Sequence, residues 1–161
     1  MGLLQPHARH RGGDGTSRLS GRPVVVHSLA HALAALAAAD AAGHPVEIWS
    51  AVGAAAYLGP LYWQSLEEKA RIRYPGPEAR FVLDCAERPG DVLAAIRQGL
   101  QWLCFTGGAE IRPKLEDIAV QAGATLFAAR PEALDLKDVT DVAEACRLWF
   151  SPQVENSSPR G

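Results

Sequence analysis

Cysteine is scarce in this chain, and cofactor signatures are missing. Cys85, Cys104 and Cys146 form no CxxC and no paired zinc-knuckle spacing. So sparse and odd a set fits reduced thiols in a cytoplasmic protein better than a disulfide framework. No GxGxxG follows the first apolar run and no GxxxxGK[ST] occurs anywhere, so the usual dinucleotide and P-loop sites are excluded. No cofactor is expected. His27 and His31 have no third ligand at metal spacing, so no metal is expected either.

Charge of one sign is also lacking. The formal net charge is −2, which gives no global pull toward nucleic acid or an anionic membrane. The exception is local, for residues 1–22 carry Arg9, Arg11, Arg18 and Arg22 against Asp14 alone. No apolar run approaches the roughly 20 residues that span a bilayer. The longest, Leu29 to Ala42, is broken by His31 and Asp40 and reads as a buried helix. The amino-terminal stretch has no hydrophobic signal core. Neither a nucleic-acid nor a membrane partner is expected.

What the sequence does contain is a repeated strand-and-helix pattern. Its 161 residues, 48% hydrophobic, suit one domain with a real core. Residues 1–22 read as a disordered arm, 23–150 as a single α/β domain and 151–161 as a polar tail. From Phe81 to Ala129, short apolar runs alternate with amphipathic segments and turn at Gly or Pro. Strand starts at Val24, Val46, Phe81, Trp102 and Thr125 recur at the spacing of βα units. The expectation is a five-stranded, mostly parallel sheet with helices on both faces, flavodoxin-like or half-barrel-like. Ser28 should cap the first helix, Gly43 should end it, and Pro60 should open the helix to about Arg73. A last helix is expected over 138–150, with Asp138 as its N-cap.

In open parallel sheets, ligands bind beyond the carboxyl ends of the strands, where loops and helix N-termini converge. Those ends carry His27, Ser50, Asp84, Thr106-Gly107-Gly108 and Arg130. His27 is the best acid/base candidate, because imidazole titrates near neutrality. Asp84 closes an otherwise apolar strand, and a carboxylate there needs a stated partner: a ligand, a helix cap or a cation. Two glycines at a strand end let the backbone turn its N–H groups toward an anion. The sites expected are thus catalytic His27 and Asp84, with Ser50, Thr106, Gly107 and Gly108 for binding. Cys85 would be a nucleophile only beside a base that lowers its pKa.

The run Cys104-Phe105-Thr106-Gly107-Gly108 resembles the Cys-Pro-Thr-Gly-Gly phosphate-binding turn of the keto-deoxy-phosphogluconate aldolase family. Phe81–Cys85 and the helix after it also resemble a barrel βα unit. Phe105 stands where the family has proline, and Phe81–Cys85 holds no lysine to match its Schiff-base residue. The resemblance therefore implies a phosphate-accepting turn at Thr106, Gly107 and Gly108, and not aldol chemistry. The chain as a whole resembles small bacterial α/β families, with Ala- and Arg-heavy usage. Two functions follow: a small protein binding an anionic metabolite at the strand ends, or a non-catalytic interaction or structural subunit that pairs with itself, as a homo-oligomer, or with another chain. The second would use Ala51–Gly59, the Tyr62/Trp63 surface and the helix end Trp149-Phe150.

Overall fold

The computed structural model describes residues 21–152. The expected arm and tail lie almost wholly outside that range, except that Arg22 already begins the first strand. Elements run β1 (Arg22–Val25), α1 (Leu29–Ala42), β2 (Val46–Trp49), α2 (Ala54–Tyr57), α3 (Pro60–Arg73) and β3 (Ala79–Asp84). Then follow α4 (Pro89–Gln98), β4 (Trp102–Cys104), α5 (Arg112–Gln121), β5 (Thr125–Phe127), β6 (Leu134–Asp135) and α6 (Val142–Phe150). Local chemistry sets several ends. The Ser28 hydroxyl accepts from the His31 N–H at 3.1 Å, Gly43 takes the left-handed φ of 64°, and Pro60 opens α3. No helix among the described residues is long and apolar enough to cross a membrane.

All pairings are parallel, in the order β5-β4-β3-β2-β1-β6. The α/β class therefore holds, with six strands instead of five. The sixth was not expected because Leu134-Asp135 is two residues long and becomes a strand only by pairing with β1. The last helix starts four residues later than expected. Asp141 is its cap, accepting from the Glu144 N–H at 3.0 Å, whereas Asp138 turns at a left-handed φ of 61°.

Strands β1 to β5 step in one direction, and right-handed crossovers of that kind place successive helices on one face. The core agrees. Buried helix residues such as Ala35, Leu36, Trp63, Leu66, Val92 and Leu115 join Val24, Ile48, Phe81, Leu83 and Leu103 in a single cluster. The opposite face carries only strand residues and their connections: Val25, Trp49, Val82 and Cys104, with Trp102, Phe127 and Ala133 against them. The helices expected on both faces therefore cover one face only among the described residues, and of the two forms expected this layering is the half-barrel-like one.

The sheet is also strongly curled. Trp49 on β2 and Phe127 on β5 lie three strand spacings apart, roughly 14 Å across a flat sheet. Their ring centroids are 5.5 Å apart, so the helix-free face is concave. The connection from Phe127 to Leu134 carries no helix, yet it joins opposite edges of the sheet. Across a flat sheet it would need about 24 Å, nearly the full reach of seven residues. Residues 128–133 instead form a strap across the mouth of the curl.

Candidate functional site

Parallel pairing puts every strand's carboxyl end on one rim, which holds His27, Ser50, Asp84 and the Thr-Gly-Gly turn. They do not form one cluster. Val25, Trp49 and Val82 are in register, so His27 and Asp84, two residues on, stand level but two strands apart. That is about 10 Å across the sheet.

Asp84 faces the concave side and is fully buried. Its Oδ1 accepts from the Gly53 and Ala86 N–H groups, each at 2.8 Å, and its Oδ2 accepts from Arg130 Nη1 at 2.8 Å. Arg130 Nη2 donates to the Ser50 carbonyl at 3.0 Å, and the guanidinium lies 5.3 Å from the Trp49 ring centroid. The Ser50 hydroxyl accepts from the Asp84 N–H at 2.8 Å and donates to the Ala51 carbonyl at 3.0 Å. Asp84 and Ser50, expected at the site, are thus committed to each other and to Arg130. Both side chains are fully buried. Ala86 pays a conformational cost to bond Asp84, with φ at 49° on a residue that has a Cβ.

His27 has a different partner. Its Nε2 stands 2.6 Å from Asp135 Oδ1, which also accepts from the Lys137 N–H at 2.9 Å. Burial works to raise the Asp135 carboxyl, but the Lys137 N–H, the His27 ring and the Arg130 charge outweigh it and hold the group below its usual range. The His27 N–H donates to His31 Nδ1 at 3.1 Å. Burial and then the neighbouring His27 lower the His31 pKa. Asp135 had no signal in the sequence, since it lies on the strand that only pairing defines. Arg130 was visible as a strand-end residue, though its partner was not.

The Thr-Gly-Gly turn is the third part of the rim. The Thr106 N–H donates to the Ala86 carbonyl at 2.9 Å, while the Gly107 and Gly108 N–H groups have no hydrogen-bond partner among the described residues. A Cβ on Gly107 would run into the Phe105 ring, whereas one on Gly108 would meet nothing within 4 Å. Arg112, at the start of α5, reaches back to the Phe105 carbonyl and pairs with Glu116 at 3.2 Å. The three cysteines are buried thiols. Burial, then the Asp84 charge, pushes Cys85 and Cys104 up to about 12, and burial pushes Cys146 up to about 11. No three His, Cys, Asp or Glu side chains among the described residues are grouped to hold a metal ion.

No family model matches the chain, and no curated protein matches it. Among solved structures it is similar to one described as a "putative fructose-1,6-biphosphate aldolase" from Coccidioides immitis. The identity is 20% and the TM-score 0.53. The match covers 66% of this chain and 40% of that one, so the chain spans well under half the length of that protein. At this identity the similarity shows the fold alone, an α/β arrangement. None of the six strands among the described residues carries a lysine.

Proposed function

We propose that the chain binds a compact phosphate- or carboxylate-bearing metabolite at the carboxyl rim, with Thr106, Gly107 and Gly108 holding the anion. The observation that carries this reading is the pair of unused N–H groups at Gly107 and Gly108, with open space at Gly108 and the Arg112 guanidinium on the Phe105 carbonyl just before the turn. Backbone donors at a strand end bind anions without spending a side chain. The locked Asp84–Arg130–Ser50 network keeps the rim rigid, so little ordering cost falls on binding. The solved neighbour's description names a sugar phosphate for that protein, and this is the ligand chemistry proposed for this chain.

The test is a melting-midpoint screen of phosphorylated and carboxylated metabolites on the natural chain and on Gly108→Val. Ligand at a hundredfold excess over its Kd adds about 2.7 kcal/mol to the folded state. The natural chain should gain that stability from at least one compound. The variant should melt at the same temperature unliganded, because its side chain enters empty space, and should show no ligand shift. Equal shifts in both proteins would end the reading.

A second reading rests on a separate surface. Val52, Tyr57, Leu58, Leu61 and Tyr62 are all exposed within eleven residues, Val52 and Leu61 at 65%. So dense an apolar run suits an interface with a second copy. Of the other residues expected there, Trp63 and Phe150 are buried in the core and Arg22 lies over the Trp149 ring. Light scattering should then report an oligomer that Leu61→Glu dissociates. A natural chain that scatters as a monomer at micromolar concentration removes this reading.

A further inference from the structure

Two side chains on the rim stand apart from the anion-binding turn and have the geometry of a proton-transfer pair. β1 and β6 run parallel, with Val25 beside Asp135. Side chains alternate along a strand, so His27, two residues past Val25, falls on the same concave face as Asp135. The helix-facing partners of that register, Leu134 and Leu136, are packed into the main core, which fixes the alternation.

We propose that His27 and Asp135 act as a proton-transfer pair on a metabolite bound at the rim, with His27 Nδ1 as the atom that takes and returns the proton. Asp135 Oδ1 is held by the Lys137 N–H and faces His27 Nε2. A carboxylate so placed requires the hydrogen of neutral His27 to sit on Nε2, which leaves the lone pair on Nδ1. Nδ1 has no hydrogen-bond partner among the described residues. The neighbouring His31 uses its own Nδ1 to accept the His27 main-chain N–H, so its ring offers only Nε2. In the step, the metabolite's acidic hydrogen passes to Nδ1 as a proton and its bonding pair stays on the metabolite. The imidazolium formed is stabilised by the Asp135 carboxylate, and returning the proton restores both groups. The substrate class, an anion with an acidic hydrogen, rests on the proposed function above, whereas the pair rests on its own geometry.

The pair can be tested without knowing the metabolite, by alkylating the folded chain with bromoacetate and with bromoacetamide. Nδ1 attacks the methylene, the carbon–bromine bond breaks, bromide leaves, and Nε2 keeps its proton against Asp135. Fragment-level mass spectrometry separates His27 from His31 in the same peptide, from His44, whose ring hydrogen-bonds the adjacent Pro45 carbonyl, and from the buried cysteines. His27 should react faster than His44 with both reagents. Asp135→Asn keeps an oxygen for the Lys137 N–H but removes the charge, and should slow His27 about tenfold, or ~1.36 kcal/mol of barrier. Nitrogen-15 spectra of the natural chain should place the ring hydrogen of neutral His27 on Nε2. A His27 rate equal to that of His44, a rate unmoved by Asp135→Asn, or a hydrogen found on Nδ1 would each overturn the pair. Bromoacetate should outpace bromoacetamide at His27 if the rim attracts anions. Equal rates with the two reagents, alongside the Asp135 effect, would leave the pair standing and count against the anion site alone.

Discussion

Asp84→Ala should destabilise the chain by about 3–5 kcal/mol, the range for breaking a buried ion pair by removing one member. The substitution strands three donors at once. The Gly53 and Ala86 N–H groups lose their acceptor in a part-buried site, and Arg130 loses the carboxylate that fixes it over Trp49. Removing Arg130 instead should cost less, because the carboxylate keeps its two backbone donors and the Arg130 side chain is itself 21% exposed. The double variant Asp84→Leu/Arg130→Leu should recover part of the loss, since no charge is then buried alone. Urea unfolding of the four proteins measures these losses, and the Asp84→Ala melting midpoint should fall by more than ~10 °C. A loss below about 1 kcal/mol would mean that the carboxylate is held in strain for chemistry. Asp84 would then return to the list of proton-transfer groups.

That prediction marks where sequence reading succeeds and where it stops. A buried carboxylate at the end of an apolar strand announces that it has a partner, and Asp84 was legible on that ground. The partner's identity was not, because Arg130 lies 46 residues away and reaches Asp84 only through the strap. The same holds for His27. Its place after a β-branched run made it a strand-end histidine, but Asp135 sits 108 residues further on. Local signals fixed the first five strands, since each is an apolar run closed by Gly, Pro or a cap. Leu134-Asp135 carries no such run, and its main-chain bond from the Leu136 N–H to the Val25 carbonyl at 3.1 Å is wholly tertiary. Ser50 shows a further limit. A hydroxyl at a strand end reads as ligand-facing until its burial and its two internal hydrogen bonds are known. The curl was invisible for a similar reason: alternation along each strand tells which residues share a face, but not whether that face closes on itself.

Trp49→Ala tests what closes it. The ring is buried, its Nε1 donates to Glu47 at 3.0 Å, and its faces meet both Phe127 and the Arg130 guanidinium. Deleting a buried tryptophan costs about 3–5 kcal/mol through lost transfer energy and the cavity left behind. Trp63→Ala should cost a similar amount, because Trp63 is equally buried against Phe81 on the helix-packed face. The two should differ in where the structure loosens. Trp49 joins β2 to β5 across the concave face, so its loss should free β5 and the strap ahead of global unfolding. Hydrogen exchange reads this at the Phe105 N–H, which bonds the Phe127 carbonyl at 3.0 Å, and at the Leu136 N–H. In Trp49→Ala both protons should exchange faster than the β2–β3 amides, whereas in Trp63→Ala all should accelerate together. Uniform acceleration in both variants would show that the backbone twist of six parallel strands suffices to curl the sheet, with the aromatic contact following from the curl rather than causing it.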